Sequence, residues 1–332
     1  MRKGADMALL DVQNLFIRIG RPGSTIDVVR GISFSVGSGE IVGILGESGC
    51  GKSLTAFSVL GLLPQGLNAA GEIKFDGRDL LSLDERDLCT LRGNRIGMIF
   101  QEPATALNPV QTVGDQIAEP LRLHAGMGKR EARAEALRLL ERIRLPNPRG
   151  ALDVYPHQMS GGQRQRVVIA MALACRPSLL IADEPTTALD TTVQRQILDL
   201  LLDLVDETKS GLLLITHDIG VMAEMTERVL VMYGGVIVES GPTEKIITDP
   251  AHPYTRALLR AVPQRALGSD TWLESIPGTV PAPSERLQGC LFRTRCSLAG
   301  PECEIQPALL PRGPDRVAAC WRLPQIEGSA PA

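Results

Sequence analysis

Gly46-Glu47-Ser48-Gly49-Cys50-Gly51-Lys52-Ser53 has the spacing of a phosphate loop: a glycine, four residues, then Gly-Lys-Ser. The apolar run Ile41-Val42-Gly43-Ile44-Leu45 precedes it and reads as a buried strand, while Lys52 to Gly61 is helix-permissive, so the loop falls where strand gives way to helix. Glycines let the backbone turn tightly and aim successive N–H groups at phosphate oxygens, and the helix N-terminus adds about half a positive charge. Lys52 is then placed to reach the β- and γ-phosphates and the Ser53 hydroxyl to hold Mg²⁺. Residues 46–53, with Leu54, are the expected nucleotide contacts.

The surroundings of the loop suit a globular nucleotide-binding protein. With 332 residues and 44% hydrophobic content, the chain can bury a full core and hold more than one domain. A net charge of −3 leaves no general basic footprint, which argues against nucleic acid as the main partner. No stretch approaches the roughly 18 consecutive apolar residues that span a bilayer, and Met1-Arg2-Lys3-Gly4-Ala5-Asp6 lacks a signal peptide's apolar core. The chain is read as cytoplasmic, where its seven cysteines stay reduced.

Taken in order, Leu15-Phe16-Ile17-Arg18-Ile19 and Ile32-Ser33-Phe34-Ser35-Val36 read as strands separated by the turn Gly20-Arg21-Pro22-Gly23-Ser24. Gly71 to Gly77 reads as a strand and turn, and Arg95 to Phe100 as a strand ending at Gln101. From Pro103 the character becomes helical: Val113 to Leu123, then Lys129 to Leu145 with an apolar stripe of Ala136, Leu137, Leu140 and Ile143. This predicts a helical insert of about seventy residues in an α/β domain. Ser160-Gly161-Gly162-Gln163 opens the next helical run and is a second place where backbone N–H groups can meet phosphate. The buried strand Ser178 to Ala182 ends in Asp183-Glu184; in a phosphate-loop enzyme Asp183 would help hold Mg²⁺ and Glu184 would accept the proton of the attacking water. The strand Gly211 to Thr216 delivers His217 to the sheet edge where ligands of open α/β sheets bind.

The phosphate loop, Gln101, Ser160 to Gln163, Asp183-Glu184, Ala188-Leu189-Asp190 and His217, in this order, closely resemble the nucleotide-binding domain of ABC transporters. The resemblance implies an α/β fold: a phosphate-loop NTPase core with a mixed β-sheet and an inserted helical subdomain at about 103–175, within residues 1–240. It implies ATP and Mg²⁺ as ligands. By position, Lys52 and Ser53 belong to Walker A and Gln101 to the loop that senses Mg²⁺ and the membrane subunit. Ser160, Gly161, Gly162 and Gln163 form the signature, Asp183 is Walker B, Glu184 the catalytic carboxylate, Asp190 part of the D-loop and His217 the switch histidine. Glu184, His217, Gln101 and Lys52 are thus the expected catalytic set, with Ser53, Gln101 and Asp183 on Mg²⁺. Met159 stands where the signature usually begins with Leu, a volume-conserving change. No aromatic residue lies in Ser24 to Arg30 to stack on adenine; Phe16 is the nearest candidate.

The tail narrows the resemblance. His252-Pro253-Tyr254-Thr255-Arg256-Ala257-Leu258-Leu259, Ile276-Pro277-Gly278, and Cys290, Cys296, Cys303 and Cys320 look like the C-terminal extension of oligopeptide and dipeptide permease ATPases, here residues 241–332. This small cysteine-containing extension implies a motor at the cytoplasmic face of the inner membrane. Its implied partners are two transmembrane permease subunits, a second ATPase subunit and, indirectly, an extracytoplasmic binding protein. Four thiolates can hold zinc or an iron–sulfur cluster. The spacings of five, six and sixteen residues lack short Cys-x₂-Cys steps, and some members of the group carry [4Fe–4S] here, so a [4Fe–4S] cluster is expected ahead of zinc, with four free thiols as the remaining alternative. A soluble ATPase acting on nucleic acid or ribosomes is the competing reading. Against it stand a single nucleotide domain and the lack of a long coiled-coil insertion. Cargo, whether dipeptide, oligopeptide, a glutathione-like compound or nickel, stays open.

Overall fold

A computed structural model of the chain describes residues 8–21, 24–187, 189–261, 275–285 and 288–323; the expected turn residues Pro22 and Gly23, and Ala188, lie outside them. The chain forms two compact units, one of Met1–Asp11, Ser35–Ile41 and Ile73–Ile215, the other of Val12–Phe34, Val42–Glu72 and Thr216–Ala332.

In the first unit the strands Ile96–Ile99, Leu179–Asp183 and Gly211–Thr216 run parallel, with Ile99 beside Ala182 and Asp183 beside Ile215. Every residue of the latter two strands is buried, as continuous apolar runs require when both faces of a parallel sheet are covered. Parallel register brings the ends that lead into Gln101 and into Asp183-Glu184 to one edge. The helical part contains Val113–His124, Lys129–Arg142 and Gly161–Leu173. Lys129–Arg142 buries Ala132, Ala136, Leu139 and Leu140. Leu139 takes the place expected for Leu137, which is half-buried, because the spacing 132, 136, 139, 140 follows one helix face more closely. This helix stops short of Leu145, as Arg144 adopts a left-handed backbone with φ 54°.

The second unit mixes strand directions. Ile41–Leu45 is parallel to Arg228–Tyr233, which pairs antiparallel with Val236–Pro242. Two short tail strands, Val317–Ala318 and Leu310–Pro311, continue this ladder antiparallel. Leu10–Arg21 lies between Ser24–Val36 and Leu67–Phe75 in a further sheet, each strand longer than its apolar segment alone suggested. Leu45, Val229, Val231, Tyr233, Tyr254, Leu291 and Phe292 share one buried cluster, so tail residues are built into the core beneath the phosphate loop. Tyr233, Tyr254 and Phe292 pack with ring centroids 4.6 to 5.4 Å apart, in tilted and edge-on arrangements that suit aromatic quadrupoles.

Candidate active site

The phosphate loop leaves the buried strand Ile41–Leu45 and enters the helix Lys52–Val59, as its sequence requires. At Gly46 a Cβ would lie 2.3 Å from the Met232 carbonyl oxygen, so backbone meets backbone there and only glycine fits. Gly51 starts the helix at φ 104°, a left-handed conformation that side chains resist, and no side chain caps the first turn. Lys52 is buried, and its Nζ donates to the carbonyls of Gly46 at 2.8 Å and Glu47 at 3.1 Å. The loop thus closes around the ammonium it presents. Burial pushes the Cys50 thiol up, with the Lys52 charge opposing.

Asp183 is buried at the end of its strand, and Glu184 follows with φ 47°, an uncommon conformation for a residue with a side chain. Its N–H donates to the Ile215 carbonyl at 2.8 Å, which pins the turn to the neighbouring strand. Gln101 Nε2 donates to Glu184 Oε2 at 3.1 Å and Thr187 Oγ1 to the same oxygen at 2.9 Å. Two of the expected site residues, 83 positions apart, therefore meet. Thr187 was not singled out from the sequence; its only signal was its place three residues after the carboxylate.

Ser160 caps the helix Gly161–Leu173 through a reciprocal pair of bonds: its Oγ accepts from Gln163 N at 3.3 Å and its N–H donates to Gln163 Oε1 at 2.9 Å. Asp190 caps the helix Thr191–Thr208 by a single bond, accepting from Val193 N at 2.9 Å. These two helix starts line one cleft with Arg144, Gly161, Gly162 and Arg166, a basic and amide-rich wall suited to an anion. His217 is exposed directly after its buried strand. Next in sequence, Asp218 donates its N–H to Thr216 Oγ1 and caps the helix Ile219–Met225 by accepting from Gly220 N and Val221 N.

Phe16 does not present a bare ring for adenine. The Arg18 guanidinium lies 4.9 Å from its centroid, and its edge packs on Gly31, where a Cβ would come within 2.9 Å.

Cys290, Cys296, Cys303 and Cys320 do converge, lining one small cavity with His252, Phe292 and Trp321. The expected [4Fe–4S] cluster finds no support: among the described residues no group of three or more His, Cys, Asp or Glu is disposed to hold a metal ion. Burial is the main cause that pushes the Cys290 and Cys296 thiols up, and Cys320 to about 11. All seven cysteines of the chain are free.

Residues 29–187 match the family described as ABC transporter, and residues 238–303 that described as oligopeptide/dipeptide transporter, C-terminal region. The chain is 50% identical over 321 residues to a probable peptide ABC transporter ATP-binding protein of Sinorhizobium fredii, covering 96% of each. The chain belongs to the ABC transporter ATP-binding proteins. It is 46% identical to the dipeptide transport ATP-binding protein DppD of Escherichia coli, covering 95% of this chain and 96% of that one. The oligopeptide transport ATP-binding protein OppD of Salmonella typhimurium is also 46% identical, with 95% and 93% covered. Among solved structures, the ATP-binding cassette MJ0796, a dimer bound to ADP and phosphate, superposes with a TM-score of 0.63 at 30% identity over 70% of this chain and 98% of its own. The fold is therefore the ABC cassette, and ATP hydrolysis is its activity. Among the described residues of this ABC ATPase no helix is long and apolar enough to cross a membrane.

Proposed function

We propose that this ABC ATPase powers uptake of di- or oligopeptides through separate permease subunits, with residues 1–240 as its nucleotide-binding domain and 241–332 as its transporter-type extension. The observation that carries the site assignment is Glu184, held in a left-handed turn with one carboxylate oxygen gripped by Gln101 and Thr187. An exposed glutamate would sample many rotamers; this one is oriented before substrate arrives. Its carboxylate takes the proton of the water that attacks the γ-phosphorus as the bond to the bridging oxygen breaks, leaving ADP and phosphate.

Lys52 and the N–H groups of Gly46, Ser48, Gly49 and Gly51 to Leu54 would hold the phosphates, while the Glu47 N–H is taken by Tyr254 Oη and the Cys50 N–H by the Glu47 carbonyl. Ser53, Asp183 and Gln101 offer hard oxygen donors of the kind Mg²⁺ prefers, and the ion would supply neutralisation of phosphate charge. His217 would contact the γ-phosphate. The Ser160 to Gln163 helix start and Asp190 would face the nucleotide of a second cassette, a reading supported by the dimeric state of the MJ0796 structure. The match of residues 238–303 and the names of the relatives support the peptide cargo, permease and extracytoplasmic binding-protein partners, and a place at the inner face of the membrane.

Glu184→Gln should retain ATP binding while turnover falls by about 10² to 10⁴. Hydrolysis at the parental rate would refute the base assignment. Mass spectrometry of what accompanies the tagged chain from membranes dissolved in mild detergent tests the partners. Two multi-span proteins and a second ATPase are expected; recovery with ribosomes or nucleic acid would overturn the transport reading.

A further inference from the structure

Every polar group of Glu47, the second residue of the phosphate loop, is tied down, and two of its four partners come from the C-terminal region. Its N–H donates to Tyr254 Oη at 2.9 Å, across 207 residues of sequence. Its carboxylate receives Arg295 through two parallel bonds, NH1 to Oε2 at 2.7 Å and NH2 to Oε1 at 3.0 Å, across 248 residues. Its carbonyl accepts from Lys52 Nζ and from Cys50 N within the loop itself.

The anchors are themselves fixed. Arg295 has a side chain only 4% exposed, donates Nε to the Pro277 carbonyl at 2.8 Å and NH1 to Tyr233 Oη at 3.4 Å, and lies 5.8 Å from the Tyr233 ring centroid. Tyr254 is fully buried in the aromatic cluster with Tyr233 and Phe292. A buried guanidinium forked onto one carboxylate is a geometrically specific contact, unlike a surface ion pair between mobile side chains.

We propose that Arg295 and Tyr254 are positioning residues for ATP: they hold the phosphate loop in its binding shape through Glu47, so the extension sets nucleotide affinity. The physical basis is preorganisation. A loop containing Gly49 and Gly51 has much backbone freedom, and ordering it at the moment of binding would lower affinity. The extension orders it beforehand. The inference rests on the assignment of residues 46–53 to the ATP phosphates.

The test uses the full-length chain, with a fluorescent ATP analogue for binding and steady-state ATPase assays for turnover. Arg295→Met keeps the length of the side chain and removes the fork. It should raise KM for ATP and the analogue's Kd about tenfold, while kcat at saturating ATP stays within about twofold, given the strength of hydrogen bonds between charged groups. Arg295→Lys, which keeps the charge, should recover part of the loss. Glu47→Gln should reproduce the Arg295→Met effect, and the double variant should be no worse than either single one. An unchanged KM with lowered kcat, or additive losses, would mean that Arg295 serves the fold alone and would overturn the proposal. If Arg295→Met does not fold, Glu47→Gln and Tyr254→Phe decide: raised KM upholds the proposal and parental KM overturns it. Lys52→Ala separates the two levels. Parental nucleotide binding by that variant sinks the phosphate-loop assignment itself, whereas lost binding there beside a parental Arg295→Met sinks only the positioning role.

Discussion

His252 gives this ABC ATPase an acid sensitivity that can be worked out from its surroundings. The imidazole is buried and its Nδ1 accepts from Tyr254 N at 3.0 Å, while the backbone N–H of His252 donates to Glu239 Oε2 at 2.9 Å. Glu239 is paired with Arg316, which also reaches Asp249, so the neighbouring carboxylate is already committed to a cation. Burial pulls the His252 pKa from 6.5 to about 3, with the backbone at Ala319 opposing. The folded chain therefore keeps the ring neutral while the unfolded chain protonates it below pH 6.5. Stability is full above that pH and declines as pH falls toward 3. At pH 5 the loss is about 2 kcal/mol, since each pH unit below the unfolded pKa contributes about 1.4 kcal/mol. His252→Asn retains a side-chain acceptor at the start of the helix Pro253–Arg260 but cannot titrate. Urea denaturation at pH 7.5 and pH 5, followed by tryptophan emission, should show the parent losing about 2 kcal/mol more than the variant on acidification. Equal losses in the two proteins would refute the reasoning, because all other titrating groups are shared.

Two further substitutions test the local geometry. Gly46→Ala drives a Cβ against the Met232 carbonyl, an atom that cannot swing aside, so this variant should lose nucleotide retention on an ATP affinity resin and should melt earlier than the parent. Asp190→Ala removes the acceptor of Val193 N and should cost about 1 kcal/mol by thermal denaturation, with Asp190→Asn recovering most of it.

Much of this architecture is legible before any coordinates. The strand before the phosphate loop and those ending at Asp183 and Thr216 are apolar runs too short for helices and bounded by loop residues, which leaves few alternatives. The bond pair of Ser160 and Gln163 also follows from their spacing, a serine three residues before a glutamine at a helix start. Other features were hidden for physical reasons. Leu67 to Ala70 joins a strand by pairing with a neighbour, with no β-branched residue to announce it. The meeting of Gln101 with Glu184 depends on two strand ends lying side by side, and the grip of Tyr254 and Arg295 on Glu47 on contacts spanning most of the chain. Cysteine spacing suggested a ligand set, but spacing alone does not show that the four thiols line one small cavity with His252 and Trp321.

The short strands Val317–Ala318 and Leu310–Pro311 have a consequence for solubility. Val236–Pro242 would otherwise show a row of unpaired backbone groups to any other strand, the usual template for sheet-to-sheet aggregation. The tail covers part of that row with Val317–Ala318, and its outermost strand is two residues long and ends in Pro311, which has no N–H to offer a newcomer. The ladder thus terminates in a strand that cannot be readily extended, and a shortened chain ending near Pro242 would be expected to stick to its own kind.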